Sequence, residues 1–244
     1  MELLRNTFKE RLDEVNSYMD LLEALDRQST NGAPRIEGES DAISRQQLKI
    51  LYSCVYLQLY NLVEATITLC LDMVARAATN NESWLPSDFR EELFREWVRS
   101  MARTHVDLSP DKRLAQALEV CRYFVSSLPV KTFSIEKGGG GNWDDGAIEK
   151  MTIRLGFNLN ISRDIHSGVK RPIRDDMGAL SLVKSLRNRL AHGSLSFTES
   201  AENTTVSELL DLKERAVKYL EEVVECFCGY VERYEFLLDD KRPA

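Results

Sequence analysis

The chain has 244 residues, of which 43% are hydrophobic, and a formal net charge of −7. This length suffices for one large domain with a real core, and we predict a single domain over residues 1–244. The acidic balance argues against general electrostatic adhesion to nucleic acid, because Lys and Arg supply that binding. The five cysteines are an odd number and widely spaced, and no signal peptide is recognised, so we expect free thiols in a reducing cytoplasm.

The first two predicted elements are an amphipathic N-terminal helix and a long central helix. Residues 1–28 carry apolar side chains at three- and four-residue spacing, which requires a partner surface. Residues 41–77 are apolar around most of the helical wheel, which predicts burial against the rest of a bundle or against a second copy of the chain. Polar residues, among them Glu64 and Asp72, interrupt this run and favour a core helix over a membrane span.

Two helices and a glycine-rich insertion follow. Helices are predicted over about 87–104 and 110–127. The insertion 128–145 is predicted to hold a short strand at Val130–Ile135, or a β-hairpin. The run Gly138–Gly141 predicts a mobile loop rather than a phosphate-binding loop, because neither Gly-Lys-Ser nor Gly-Lys-Thr follows it.

The last third of the chain is also predicted to be helical. A short helix near 145–155 leads into an irregular segment and then into a helix from Met177 to His192. After a loop from Ser194 to Thr204, a capping box that begins at Thr205 opens a final helix that runs to about Leu238.

The most informative stretch is Arg-Asn-Arg-Leu-Ala-His at positions 187–192. Asp175 and Asp176 are the expected caps at the start of this helix, and Gly193 is the expected stop signal. At about 100° per residue, one face of the helix is apolar and the opposite face is polar. The polar face carries Lys184, Arg187, Asn188 and His192. Arg189 lies on neither of these faces and is interpreted as a flanking cation.

The chemistry suited to this polar face is cleavage of RNA by attack of a 2′-hydroxyl on the adjacent phosphate. His192 can transfer a proton near neutral pH. Arg187 offers a planar fork of donors that can stabilise an anionic transition state, with Lys184 as a supporting cation. Asn188 can position the imidazole, a phosphate or a ribose oxygen. The alternative is a surface helix that happens to end in His-Gly.

This motif resembles that of the HEPN superfamily, many of whose members are RNases. The similarity extends along Arg187–Phe197, and Leu59–Ala65 is similar to the acidic-residue helix that packs beside the motif helix in HEPN proteins. It covers roughly residues 40–238, with 1–28 as an additional helix. The resemblance implies an all-α, HEPN-like helical bundle with long central and C-terminal helices.

The resemblance also implies how the chain would act. It implies a metal-independent endoribonuclease without cofactors, leaving 2′,3′-cyclic phosphate ends, and a homodimer in which Arg187, Asn188 and His192 of both chains line one cleft. It places Glu64 near the motif, where it would hold Arg187 or the ribose; the alternative is a structural ion pair. An antitoxin or sensor protein is an expected partner of a toxin or defence effector of this kind. The competing function is a non-catalytic module that binds RNA, nucleotides or protein.

A basic segment precedes and includes the motif. Between Arg163 and Arg189 there are seven cations and three anions, a local balance of +4. The candidate RNA contacts are Lys170, Arg171, Arg174 and Arg189, although the first three could instead solubilise a loop. His166 is interpreted as a solvated loop residue, with a role as a second acid or base as the alternative. His105 is interpreted as structural. No metal-ligand pattern is recognised, so no metal site is predicted.

Overall fold

The computed structural model describes residues 1–38, 40–80, 84–103, 106–137 and 142–243. Within these residues the secondary structure is helical and no strand forms, so the predicted all-α class is confirmed. The helices are α1 (Glu2–Ser29), α2 (Arg45–Thr79), α3 (Glu91–Ala102), α4 (Pro110–Val125), α5 (Asp145–Leu155), α6 (Arg163–Lys170), α7 (Ala179–Ala191), α8 (Phe197–Ser200) and α9 (Val206–Glu232).

The amphipathic helix α1 packs against α2 and α9, which provide the partner surface that its sequence requires. Its apolar stripe is buried, with Met19 1% and Leu22 0% exposed. Outside this stripe, Arg5 pairs with Glu225 of α9 at 2.7 Å. Both side chains of that pair are largely exposed, so burial of the stripe contributes more to the attachment of α1 than the ion pair does.

Helix α2 is the central element and contacts α1, α7, α8 and α9. A capping box opens it, since the Ser44 hydroxyl accepts from the Gln47 backbone and the Gln47 side chain accepts from the Ser44 backbone. Among the described residues, α2 is the one helix long and apolar enough to cross a membrane, and 56% of its most apolar window is buried inside the protein. This burial is the pattern expected of a core helix.

The predicted strand at Val130–Ile135 is wrong. Val130 and Ile135 are buried. However, the segment lies against helices, and the Val130 backbone N–H donates to the Trp84 carbonyl oxygen at 2.9 Å, so the described part of this segment forms no ladder. The apolar residues of this segment are therefore buried without forming a strand. The predicted loop at Gly138–Gly141 lies outside the described residues.

The start of α7 differs from the prediction. Asp175 and Asp176 do not cap it; both lie in a left-handed turn, with φ of 52° and 57°, and the residue at the cap is Gly178. A Cβ at Gly178 would collide with the Val169 carbonyl oxygen. The close approach of α6 to this turn therefore requires glycine. Two short helices, α6 and α8, lie in segments predicted to be irregular.

Helix α9 ends at Glu232, before the predicted Leu238. The chain then turns back toward the start of α3, where the Arg90 N–H donates to the Phe236 carbonyl oxygen at 2.9 Å. Phe236 is fully buried and its ring lies 5.5 Å from that of Trp84. The apolar residues after 232 thus continue the core without continuing the helix.

Candidate active site

The motif helix α7 packs on α2 and α9 through its apolar face. Ala179, Val183 and Leu186 are at most 2% exposed, as the helical wheel predicts. Burial of that face fixes the rotation of α7 about its axis. Arg187 and Asn188, on the other face, are consequently only partly buried and remain open to solvent.

Arg187 is held on three sides. Its guanidinium carbon lies 4.2 Å from the centroid of the Tyr60 ring. Its Nη2 lies 3.4 Å from Oε2 of Glu64, and its Nη1 donates to Oδ1 of Asn188 at 2.8 Å. Tyr60 and Glu64 are one turn apart on α2 and so share a face. The guanidinium therefore has a defined orientation while its side chain stays 31% exposed.

Glu64 lies beside the motif, where the resemblance places it. Its side chain is 39% exposed, because the face of α2 that carries it looks toward the polar face of α7 rather than into the core. Its partner is Arg187, a contact that fits both a role in holding Arg187 and a structural ion pair. A partly exposed pair at 3.4 Å orients Arg187 but does not neutralise it as a closely bonded buried pair would.

Asn188 links the motif to the segment just before α5. Its Nδ2 donates to Oδ1 of Asn142 at 3.1 Å, and the next residue, Trp143, donates its backbone N–H to the Tyr60 hydroxyl at 3.4 Å. The Asn188 side chain therefore contacts Arg187 and Asn142. The site predicted from the sequence does not include Tyr60, Asn142 or Trp143. The position of Tyr60, one turn before Glu64 on the same helix face, could have indicated that it lies beside the motif.

His192 lies at the end of α7 and is exposed. Its backbone N–H donates to the Asn188 carbonyl oxygen at 3.0 Å. Gly193 follows with φ of 68° and ends the helix as predicted. Across the parts of the chain that the structure describes, the imidazole has no hydrogen-bond partner, so both ring nitrogens are available for a substrate or a second chain.

Two cations from α7 act on the Tyr60 phenol. Burial raises the pKa of Tyr60, while the Trp143 backbone hydrogen bond and the charges of Arg187 and Lys184 lower it in part. The net direction is upward, so the hydroxyl stays protonated at neutral pH. Lys184 itself forms an ion pair with Asp144, at the N-cap of α5. This pair ties α7 to α5 beside the motif.

The predicted basic segment does not form a continuous free surface. Lys170 Nζ lies 2.8 Å from Glu149 Oε1, and Arg174 donates to the Ser200 carbonyl oxygen at 3.1 Å and to the Tyr56 hydroxyl at 3.2 Å. Arg171 and Arg189, in contrast, are exposed. Of the four candidate RNA contacts, two are therefore engaged within the protein.

The other two histidines do not join the motif. His166 lies on α6 rather than on a loop, and its Nε2 is 3.2 Å from Glu149 Oε1. His105 lies outside the described residues. In the part of the chain that the structure describes, no group of three or more His, Cys, Asp or Glu side chains is placed to hold a metal ion.

Comparison with known proteins gives the family of the chain. No curated protein matches it significantly, and neither does any solved structure. A family model described as HEPN_MAE_28990-like HEPN matches residues 1–236, and the chain therefore belongs to this HEPN family.

Proposed function

We propose that the protein is a metal-independent endoribonuclease that cleaves RNA by attack of a 2′-hydroxyl on the adjacent phosphate. The observation that carries this proposal is the placement of Arg187 on the Tyr60 ring, beside Glu64 and Asn188. A stacked guanidinium with part of its fork open to solvent suits bidentate recognition of a phosphoryl group. HEPN membership supports a nuclease or RNA-binding module at this coarser level.

In the proposed reaction, the 2′-oxygen forms a bond to phosphorus while the bond from phosphorus to the 5′-oxygen breaks. His192 takes the proton from the 2′-hydroxyl or gives one to the departing 5′-oxygen. Arg187 stabilises the charge that develops on the non-bridging oxygens. The products carry a 2′,3′-cyclic phosphate and a 5′-hydroxyl. Asn188 positions Arg187 through the hydrogen bond between their side chains.

We further propose that two chains form one site. Cleavage needs both an acid and a base, and each chain offers one histidine at the motif. The exposed position of His192, at the very end of α7, allows it to face the equivalent residue of a second chain. A homodimer would bring two histidines and two arginines to the same RNA, and a monomer would be weakly active.

The proposed biological setting is a toxin or defence effector in the cytoplasm. A regulated RNase of this kind requires an antitoxin or a sensor protein that limits its activity. The net charge of −7 with a local balance of +4 near the motif leaves the remaining surface strongly acidic. Such a surface favours a basic partner protein.

The test is incubation of the purified protein with mixed RNA in EDTA, with end-group analysis of the products and a parallel measurement of oligomeric state. His192→Ala is compared with His166→Ala, which removes a histidine that lies on α6 beside Glu149. Cyclic phosphate ends that vanish only with His192→Ala support the proposal. A folded dimer that cleaves nothing would favour the alternative, a non-catalytic module that binds RNA, nucleotides or protein.

A further inference from the structure

A small cleft lies beside α5, bounded on its other side by Lys137, Asn142 and Trp143. Its volume is about 280 Å³. The lining residues are Lys137, Asn142, Trp143, Ala147, Lys150, Met151 and Arg154. Three of these carry a positive charge and none carries a negative one. The cleft is therefore electropositive although the protein as a whole is acidic.

Two of the three cations are available to an anionic ligand. Lys150 is exposed and has no carboxylate partner among the described residues. Lys137 is exposed as well, and its Nζ donates to the Thr68 hydroxyl at 2.9 Å, a contact that leaves its charge uncompensated. Arg154 differs, because it pairs with the buried Glu96 at 2.9 Å and serves the fold.

The cleft also contains a buried donor. Trp143 is 3% exposed, and its indole Nε1 has no hydrogen-bond partner among the residues that the structure describes. A buried N–H group without an acceptor is costly, and a ligand oxygen would remove that cost. An orphan donor in a cleft that is also lined by two lysines favours an oxyanion over a neutral ligand.

The cleft borders the motif through two of its lining residues. Asn142, in its lining, accepts a hydrogen bond from Asn188, and the Trp143 backbone N–H donates to the hydroxyl of Tyr60, the ring under Arg187. A strand whose scissile phosphate lies at Arg187 can therefore extend past Asn142 into the cleft. The paired cations Lys170 and Arg174 offer no comparable path.

We propose that this cleft binds a backbone phosphate of the RNA strand next to the scissile phosphate, through Lys137, Lys150 and the Trp143 indole. This inference rests on the proposed function and adds the path of the strand to it. Free phosphate has the same chemistry as a backbone phosphate, so the test must distinguish a strand from an isolated anion.

The probe is a 2′-O-methyl RNA of eight nucleotides, which has no 2′-hydroxyl and so cannot be cleaved by the proposed reaction. Its affinity is measured by fluorescence anisotropy at several salt concentrations for the wild type, Lys150→Ala, Lys150→Arg and Lys137→Ala. Lys9→Ala removes an exposed lysine on α1 and is the control, and Lys170→Ala tests the basic segment. Unlabelled octanucleotide, a dinucleotide and inorganic phosphate are the competitors.

We expect Lys150→Ala and Lys137→Ala each to weaken binding several-fold and to reduce the slope of log affinity against log salt by about 0.7, the value for one phosphate contact on a single strand. Lys150→Arg should restore the slope. Lys9→Ala and Lys170→Ala should bind like the wild type. Competition by the dinucleotide or by inorganic phosphate should be far weaker than by unlabelled octanucleotide.

Three results would overturn the inference. Unchanged affinity in both cleft variants, in a protein that still cleaves RNA, would reject the cleft and leave the proposed function intact. Competition by inorganic phosphate as strong as by the octanucleotide would assign the cleft to an isolated anion. A wild type that neither binds nor cleaves RNA would reject the proposed function together with the cleft.

Discussion

Arg187 stacks on Tyr60, with 4.2 Å between the guanidinium carbon and the ring centroid, and this contact joins the motif helix to the central helix. The ring leaves the N–H groups at the edge of the guanidinium free to bind a phosphate. Glu64 and Asn188 then restrict rotation of the guanidinium in the plane of the ring. The orientation of Arg187 therefore depends on α2 as much as on α7.

Replacement of Tyr60 tests this dependence. We expect Tyr60→Phe to retain most RNase activity, because the ring remains. Tyr60→Leu should reduce it by about tenfold, since a partly desolvated cation–π contact contributes about 1–2 kcal/mol. The measurement is the rate of RNA cleavage together with urea unfolding of both variants. Equal activity of Tyr60→Leu and Tyr60→Phe would show that the stacking does not position Arg187.

His192 should matter for cleavage and not for folding. It is exposed, so His192→Ala should leave the unfolding free energy nearly unchanged. Activity should fall by roughly 10²–10⁴-fold, the usual contribution of general acid–base catalysis. Leu186→Ala should instead lower the unfolding free energy, by about 2–5 kcal/mol, because Leu186 is 2% exposed and its truncation creates a cavity.

Both quantities are measured on the same preparations, by single-turnover cleavage and by chemical denaturation. His166→Ala serves as the histidine control. If His192→Ala and Leu186→Ala lost stability equally, the assignment of His192 to the site would be untenable.

Much of this arrangement could be predicted from the sequence, because it depends on local pattern. The 3.6-residue periodicity of 177–192 separates the apolar face from the face that carries Arg187 and His192, and Gly193 marks the end of the helix. The long apolar run of the central helix predicts burial from several sides. These features belong to single elements and require no knowledge of how the elements meet.

The contacts between elements could not be predicted in this way. Asn142 lies 46 residues from Asn188 in the chain and is brought to it only by the packing of the segment before α5. From the sequence, Arg174 is a candidate RNA contact or a solvated loop cation, yet the turn before α7 directs it toward Tyr56. Charge patterning counts cations but does not show which of them are paired within the fold.

Arg174 provides a direct test of that distinction. Its guanidinium donates to the Ser200 carbonyl oxygen and the Tyr56 hydroxyl and lies 5.7 Å from the Tyr56 ring centroid. We expect Arg174→Ala to lower the unfolding free energy by about 1–3 kcal/mol, because these acceptors lose their partner. Arg171→Ala, which removes an exposed neighbour, should change it by less than about 0.5 kcal/mol. Denaturation curves of the two variants give the comparison.

The same variants separate a structural role from an RNA contact. If Arg174 serves the fold, RNA affinity measured well below the unfolding transition should fall no more in Arg174→Ala than in Arg171→Ala. A stable Arg174→Ala protein with selectively lost RNA affinity would support the sequence-based assignment of Arg174 to RNA.

The pairing of Lys170 with Glu149 should make part of the stability dependent on pH. Partial burial acts to raise the pKa of Glu149, but the hydrogen bond and charge of Lys170, aided by His166, outweigh it and hold that pKa below its ordinary value. A carboxylate whose pKa is lower in the folded state than in the unfolded state stabilises the fold above the unfolded value, about 4.3 for Glu. That contribution disappears as the pH falls through the folded value.

Lys170→Met should therefore be less stable than the wild type at pH 7, by about 1 kcal/mol or less because the pair is partly exposed, and the difference should close toward pH 3. Urea unfolding across this range measures it. Lys150→Met is the matched control, since Lys150 is exposed, lies on the same helix as Glu149 and has no carboxylate partner among the described residues. A difference between Lys170→Met and the wild type that persists unchanged at pH 3 would mean that lost packing of the lysine stem, and not the ionised Glu149, accounts for it.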